Sequence, residues 1–282
     1  MLPFGKQNRR AAALRKEWQL LCREEAALRA AAQKPAPGWK TTLEQKLPPK
    51  AAQGLRAAFA RAFGLVFEKG VPLIEKSYDR QTLQQDQAIR SYAVQLKGGR
   101  RELRAVRKGA GTGLADLALT AAEGIGLGAL GVGLPDIVLF LGVLLRGVYR
   151  TALQYGFAYE TPAEQQLILI MLEASLSREE AVCQADAAVD ALLAQEPPAE
   201  PEPGQLEQQT RSTADAFAVE LLVLKFVQGL PVAGILGGAG NPVYYRRVLR
   251  YVQLKYRKRW LLHTARSFGV ELPAAKPGTR TT

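Results

Sequence analysis

Apolar residues in this chain recur three and four positions apart, the spacing that gathers them on one face of a helix. Between Ala11 and Gln33, Leu14, Trp18, Leu21 and Leu28 share a face, with Arg15, Lys16, Glu17, Arg23, Glu24 and Glu25 around it. Pro35 and Pro37-Gly38 end that helix. From Lys50 to Lys69 the stripe is Leu55, Phe59, Phe63 and Val66, with Phe59 and Phe67 read as core. Val71 to Tyr78 begins another turn, with Pro72 near its first position. Thr82 to Leu96 is polar and expected to be exposed, and Lys97 to Lys108 is a basic approach to the next segment.

That next segment, Gly109 to Gly156, is the most apolar part of the chain. Its first half is rich in glycine and its second in aliphatic residues. Gly133-Leu134-Pro135-Asp136 divides it: proline suits a first helical position, and an acid in the first turn suits the positive end of the helix dipole. The pattern predicts one helix from Thr112 to Leu130, a turn over 131–134, a second helix from Pro135 to Gln154, and a stop at Gly156. Arg100, Arg101, Arg104, Arg107, Lys108, Arg146 and Arg150 cluster at the open end of this hairpin. Two readings stand open: a hairpin buried in a soluble helical protein, or one dipping into a bilayer with its basic end at anionic headgroups. Gly126, Gly128 and Gly131 match G-x-G-x-x-G by letter, but they follow a helical segment and Asp136 comes too soon for a nucleotide site.

Beyond the hairpin, Thr161-Pro162-Ala163-Glu164 reads as a capping box opening a helix to Ala174. Ser177-Arg178-Glu179-Glu180 reads as a second box, opening a helix to Ala194. EPPAEPEPG, residues 196–204, has nothing to bury and is expected to be a flexible acidic linker, reaching 205. Helix resumes from Leu206 to Gln228. Asn241 and Pro242 then start a last helix to Phe268, striped by Tyr245, Val248, Leu249, Val252, Tyr256, Trp260 and His263. The expected architecture is all-α: a single multi-helix domain over residues 11–268, built around the central Gly-rich apolar hairpin. Residues 1–10 and 269–282 are expected to be disordered ends.

Composition adds charge to this picture. Apolar residues make up 48% of the chain, enough for a core, and the formal net charge is +12, which calls for an anionic partner. The two cysteines, Cys22 and Cys183, have no metal spacing and fit a reducing compartment. The N-terminus has no apolar signal core, so the expected location is the cytoplasm.

Candidate chemistry is sparse. His263 is the only histidine, and its place on the apolar stripe reads as core. No catalytic constellation, metal set or cofactor motif is identified. Asp116 and Glu123, seven apart on one helical face, and Asp136 are acids in an apolar stretch and need partners. Arg146, Arg150 or Lys225 are the expected ones, and a structural ion pair is favoured over chemistry. On the last helix, Arg246, Arg247, Arg250, Arg257, Lys258, Arg259 and Trp260 are read as a solvated basic-aromatic face suited to lipid headgroups. No nucleic-acid fold signature is present, so membrane ranks above nucleic acid.

The GAGTG approach from Gly109 to Gly113, the GALGVGLPDI segment from Gly128 to Ile137, Tyr155-Gly156-Phe157 followed by Glu164, GILGGAGNP from Gly234 to Pro242, and the final Tyr/Arg helix together resemble the EcsC family of bacterial proteins. The resemblance runs from about Trp18 to Phe268. It implies a largely helical protein, linked by the family's name to an operon encoding a transport system, and carries no catalytic residue. The functional expectation is a peripheral membrane-binding protein without an identified reaction, at the inner face of the cell membrane, engaging anionic lipid or a membrane protein. The alternative is a soluble ligand-binding protein or enzyme with an acidic pocket near Asp116, Glu123 and Asp136.

Overall fold

The computed structural model describes residues 4–35, 49–111, 135–195, 197–228 and 242–273. Among them regular structure is helical throughout: α1 (Phe4–Ala32), α2 (Pro49–Leu65), α3 (Val71–Glu75), α4 (Arg80–Leu96), α5 (Arg100–Gly111), α6 (Pro135–Tyr155), α7 (Pro162–Leu176), α8 (Ala181–Leu193), α9 (Gln205–Gln228) and α10 (Pro242–Ser267). The first arm of the expected hairpin and its turn, residues 112–134, lie outside the described residues.

The second arm is α6, and it is a core helix. Its stretch Ile137–Tyr155 is long and apolar enough to cross a bilayer, with mean hydropathy 1.4, yet 83% of that stretch is buried inside the protein. It packs against α2, α4, α5 and α10. Gly147 lets α10 approach, since a Cβ there would stand 2.8 Å from the methyl groups of Leu249. Gly156 ends the helix at φ 84°, and Phe157 N–H donates to the Ala152 carbonyl (2.9 Å), the left-handed stop expected of glycine.

An aromatic cluster joins four helices. Phe59 of α2, Phe140 of α6, Phe217 of α9 and Tyr245 of α10 are buried, with ring centroids 5.0 Å apart for Phe140–Tyr245 and 5.9 Å for Phe59–Phe217. Each such pair adds roughly 0.5–1.5 kcal/mol beyond its burial. α9 covers α2 and α7, and α1 lies across α5 and α10.

Local departures from the expected pattern have physical causes. α1 begins at Phe4, well before Ala11, because Arg10 is buried and its guanidinium caps the C-terminus of α4, donating to the carbonyls of Gln95 (2.6 Å) and Leu96 (2.8 Å). Residues 66–70 form a π-helical turn between α2 and α3. Pro72 has no N–H, and its ring would press on the carbonyl four residues back, so the wider turn absorbs it. Thr161 accepts from Glu164 N–H (3.3 Å), but the Glu164 carboxylate does not reach back; it goes to Arg259. Ser177 does not cap the next helix: α8 starts at Ala181, and Glu179 sits at φ 54° with its N–H on the Ala32 carbonyl (3.0 Å). At the other end, Trp18 Nε1 donates to the Pro273 carbonyl (2.8 Å), so the chain just beyond Gly269 is pinned to α1.

Candidate functional site

α10 is the element on which charge and core meet, and its cations divide into two sets. Arg246 and Arg250 are exposed, and Arg247 is half-buried against Glu220 (3.3 Å). Lys255, Arg257, Lys258 and Arg259 are buried, as is Trp260. The reading of Arg257, Lys258 and Arg259 as a solvated, headgroup-facing surface is therefore corrected, and so is that of Trp260 as a headgroup contact, while its place on the apolar stripe stands. α10 is enclosed by α1, α6, α7 and α8, and those helices bring carboxylates to it. His263 departs in the opposite sense: it is exposed, beside a hollow shared with Gln87, Ser91 and Thr264.

The buried charges form a matched network. Lys255 Nζ meets Glu25 (3.1 Å), Asp186 (2.6 Å) and Asp190 (2.7 Å). Lys258 Nζ meets Glu25 (2.9 Å) and Asp190 (2.7 Å), and Arg29 closes on Asp186 (2.5 Å). Three cations thus face three carboxylates. Asp186 and Asp190 are four apart on α8, and Lys255 and Lys258 three apart on α10, so each pair projects from one helical face. Arg257 joins Glu17 (3.1 Å) and Glu24 (3.1 Å), and Arg259 grips Glu164 with both terminal nitrogens (2.9 and 2.8 Å) while its guanidinium stacks 4.1 Å over the Phe157 ring. This network holds α1, α7 and α8 around α10.

Burial alone would raise the Asp186 carboxyl, but Lys255 and Arg29 outweigh it and leave it below its ordinary 3.8. Burial alone would lower Lys255, but Glu25, Asp190 and Asp186 outweigh it and leave it above 10.5. Asp186 thus contributes stability that is present above pH 3.8 and lost as pH falls through its lower folded value. Lys255 contributes stability that is present below pH 10.5 and lost as pH rises through its higher folded value. In urea unfolding against pH, the acid limb below 3.8 is expected to be shallower in Asp186→Asn than in the parent. Equal slopes would show that Asp186 is not linked to folding.

Among the other sequence candidates, Arg146 is buried and donates to the Ser77 carbonyl (2.7 Å), fastening the end of α3 to α6. Asp116 and Glu123, and the Asp136 side chain, lie outside the described residues, and so does their expected pocket.

A surface that sequence reasoning passed over as merely polar stands out. The most exposed positions of α4 from Gln81 to Leu96 are uncharged, and its two ions there, Asp86 and Arg90, pair with each other along the helix (2.9 Å). Three of them are large and apolar: Ile89 (67% exposed), Tyr92 (68%) and Leu96 (59%). Their spacing of three and four puts them on one face. The readable signal was sparse charge: between Gln81 and Leu96 the sequence has only that one ion pair, leaving Gln and Thr as the polarity of the exposed positions. α5 packs alongside α4 and buries Leu103, Val106 and Ala110, turning Arg100, Arg101, Arg104 and Lys108 outward. Lys97, also exposed, lies between the two helices.

No curated protein and no solved structure matches this chain. The pattern of the EcsC protein family matches residues 13–261, a span that runs from within α1 through most of α10 and includes the buried network and the α4–α5 surface. On that match, the chain belongs to the EcsC protein family.

Proposed function

We propose that this protein binds the surface of an anionic lipid bilayer through the α4–α5 face, at the inner side of the cell membrane. The observation that carries the reading is the uncharged face of α4, with Ile89, Tyr92 and Leu96 in solvent, bordered by the exposed cations of α5. Soluble surfaces scatter apolar residues singly, whereas aligned ones rimmed by polar groups mark contact sites. An amphipathic element enters the interface by burying apolar side chains while Lys and Arg meet headgroups.

Electrostatics point the same way. Arg100 and Arg101 occupy the first turn of α5, at the positive end of its dipole, where a cation is locally unfavourable. A placement that costs stability concentrates positive potential at one end of the face. The apolar 112–134 stretch follows α5 directly in sequence. The +12 net charge suits the same partner.

The test is flotation with vesicles of phosphatidylcholine alone or mixed with phosphatidylglycerol. The parent is expected to float with the anionic vesicles. The triple variant Ile89→Gln, Tyr92→Gln, Leu96→Gln is expected to stay folded, because surface substitutions cost within about 0.5 kcal/mol each. It is expected to lose most binding, at on the order of 1.5 kcal/mol per side chain withdrawn from the interface. A parent that floats with neither vesicle, or a triple variant that binds like the parent, overturns the reading.

A further inference from the structure

A cavity of about 220 Å³ lies between α1, α7, α8 and α10, away from the α4–α5 face. We propose that it binds a small monocarboxylate with an apolar tail, the carboxylate received by guanidinium groups of the wall. The proposal is independent of membrane binding.

Size and lining define the ligand. Leu28, Ala174, Val182 and Leu254 make the apolar walls. A dry cavity of about 150 Å³ accommodates benzene, so this one has room for about nine non-hydrogen atoms by the same ratio. That excludes a two-chain lipid and fits an aromatic acid or a short acyl chain. A binding pocket of this kind needs a few convergent polar groups to fix orientation. Arg29, Arg178 and Arg247 supply them.

The charge count favours an anion. The Lys255 network forms one side of the cavity and is neutral, with Arg29, Lys255 and Lys258 against Glu25, Asp186 and Asp190. Elsewhere in the lining, among the described residues, two guanidinium groups draw on one carboxylate: Arg178 and Arg247 reach Glu220 at 2.9 and 3.3 Å. One more negative charge balances the set. Arg247 registers the excess, since burial and the neighbouring Arg178 hold it below the ordinary arginine value despite Glu220.

The backbone is shaped to match. The turn that carries Ser177 and Arg178 is closed by Glu179 at φ 54°, a region costly for a side-chain-bearing residue, held by its N–H on the Ala32 carbonyl. Arg178, the residue before Glu179, lines the cavity with its side chain partly in solvent.

The experiment is thermal denaturation and isothermal titration of the full chain with sodium benzoate and sodium octanoate, against benzamide and octanamide as uncharged counterparts. At least one carboxylate is expected to raise Tm saturably, with its amide at least tenfold weaker. Benzoate alone would identify an aromatic acid, and octanoate alone an acyl chain. Arg178→Met, at the solvent side of the cavity, is expected to weaken the carboxylate at least tenfold without changing Tm of the unliganded protein by more than a few degrees. Val182→Phe, which fills the cavity, is expected to abolish binding and serves if Arg178→Met does not fold. No saturable response to either carboxylate, equal binding of the amides, or full binding by both Arg178→Met and Val182→Phe overturns the proposal.

Discussion

Arg259→Leu is expected to destabilise the protein by about 3–5 kcal/mol, because it strands the Glu164 carboxylate in the interior. For a chain of this size that corresponds to a fall in Tm on the order of 10 °C. Both side chains are sequestered, with 2% of Arg259 and 8% of Glu164 exposed, so solvent does little to screen the lost partner. The geometry is a two-pronged grip, 2.9 and 2.8 Å, which a lysine cannot reproduce. Arg259→Lys is therefore expected to lose a large part of the same stability. Combining Arg259→Leu with Glu164→Leu removes both charges at once, and the double variant is expected to recover most of the loss. A remainder persists, because the guanidinium also stacks on Phe157. Thr161 still caps α7 in that double variant, since it accepts from the Glu164 backbone. Urea unfolding of the four proteins closes the cycle. A cost below about 1 kcal/mol for Arg259→Leu alone would mean that the pair is solvated like a surface salt bridge.

The same residues show where the sequence was legible and where it was not. The apolar stripe of α10 was readable from spacing, and Tyr245, Val248, Leu249, Val252, Tyr256 and Trp260 are all buried. The cations between them were assigned to solvent because a one-helix pattern places charge opposite the core. That rule fails when a helix is enclosed on several sides and its neighbours carry matching charge. Glu17, Glu24 and Glu25 sit more than 220 residues before their partners, and no spacing rule spans such a distance. One clue was available: no acid occurs between Glu220 and Glu271, so the cations of α10 had to find carboxylates elsewhere in the chain. The pair Asp186 and Asp190, four apart on a mostly apolar helix, was the complementary half of that clue.

Helix existence was easier to read than helix ends. Thr161, Pro162 and Gly156 do locally what their types require, as cap, first turn and stop. Ser177 has the right type and does not cap, because its turn is pulled to the C-terminus of α1 through Glu179. Arg10 extends α1 backwards through contacts with a helix 85 residues away. In both cases a tertiary contact overrides a local preference. The all-α class survives such overrides, since each moves a boundary and none changes an element type.

The buried network also moves the membrane-binding test to other residues. Replacing Arg257, Lys258 and Arg259 would disrupt the core, so a loss of binding in such a variant would say nothing about lipid. Lys97, Arg100, Arg101 and Arg104 are exposed, and Arg107 is best left in place because it reaches Glu17 (3.3 Å). Changing those four together to Gln is expected to keep the fold, and the loss of positive charge from the first turn of α5 is itself favourable. Each basic residue near an anionic surface contributes roughly 1 kcal/mol. The four together set a loss of about a thousandfold in affinity for phosphatidylglycerol vesicles, at 1.4 kcal/mol per tenfold. Added salt should reproduce that loss in the parent, since surface charge reaches only about 10 Å at 0.1 M. Neutral vesicles should not distinguish the quadruple variant from the parent. Arg246→Gln with Arg250→Gln, on exposed positions of α10, is the control and should bind like the parent. If the quadruple variant holds anionic vesicles as tightly as the parent at low salt, the α5 cations are an ordinary solvated face. If instead only the Arg246/Arg250 variant loses binding, the contact runs through α10 and the α4–α5 assignment is wrong.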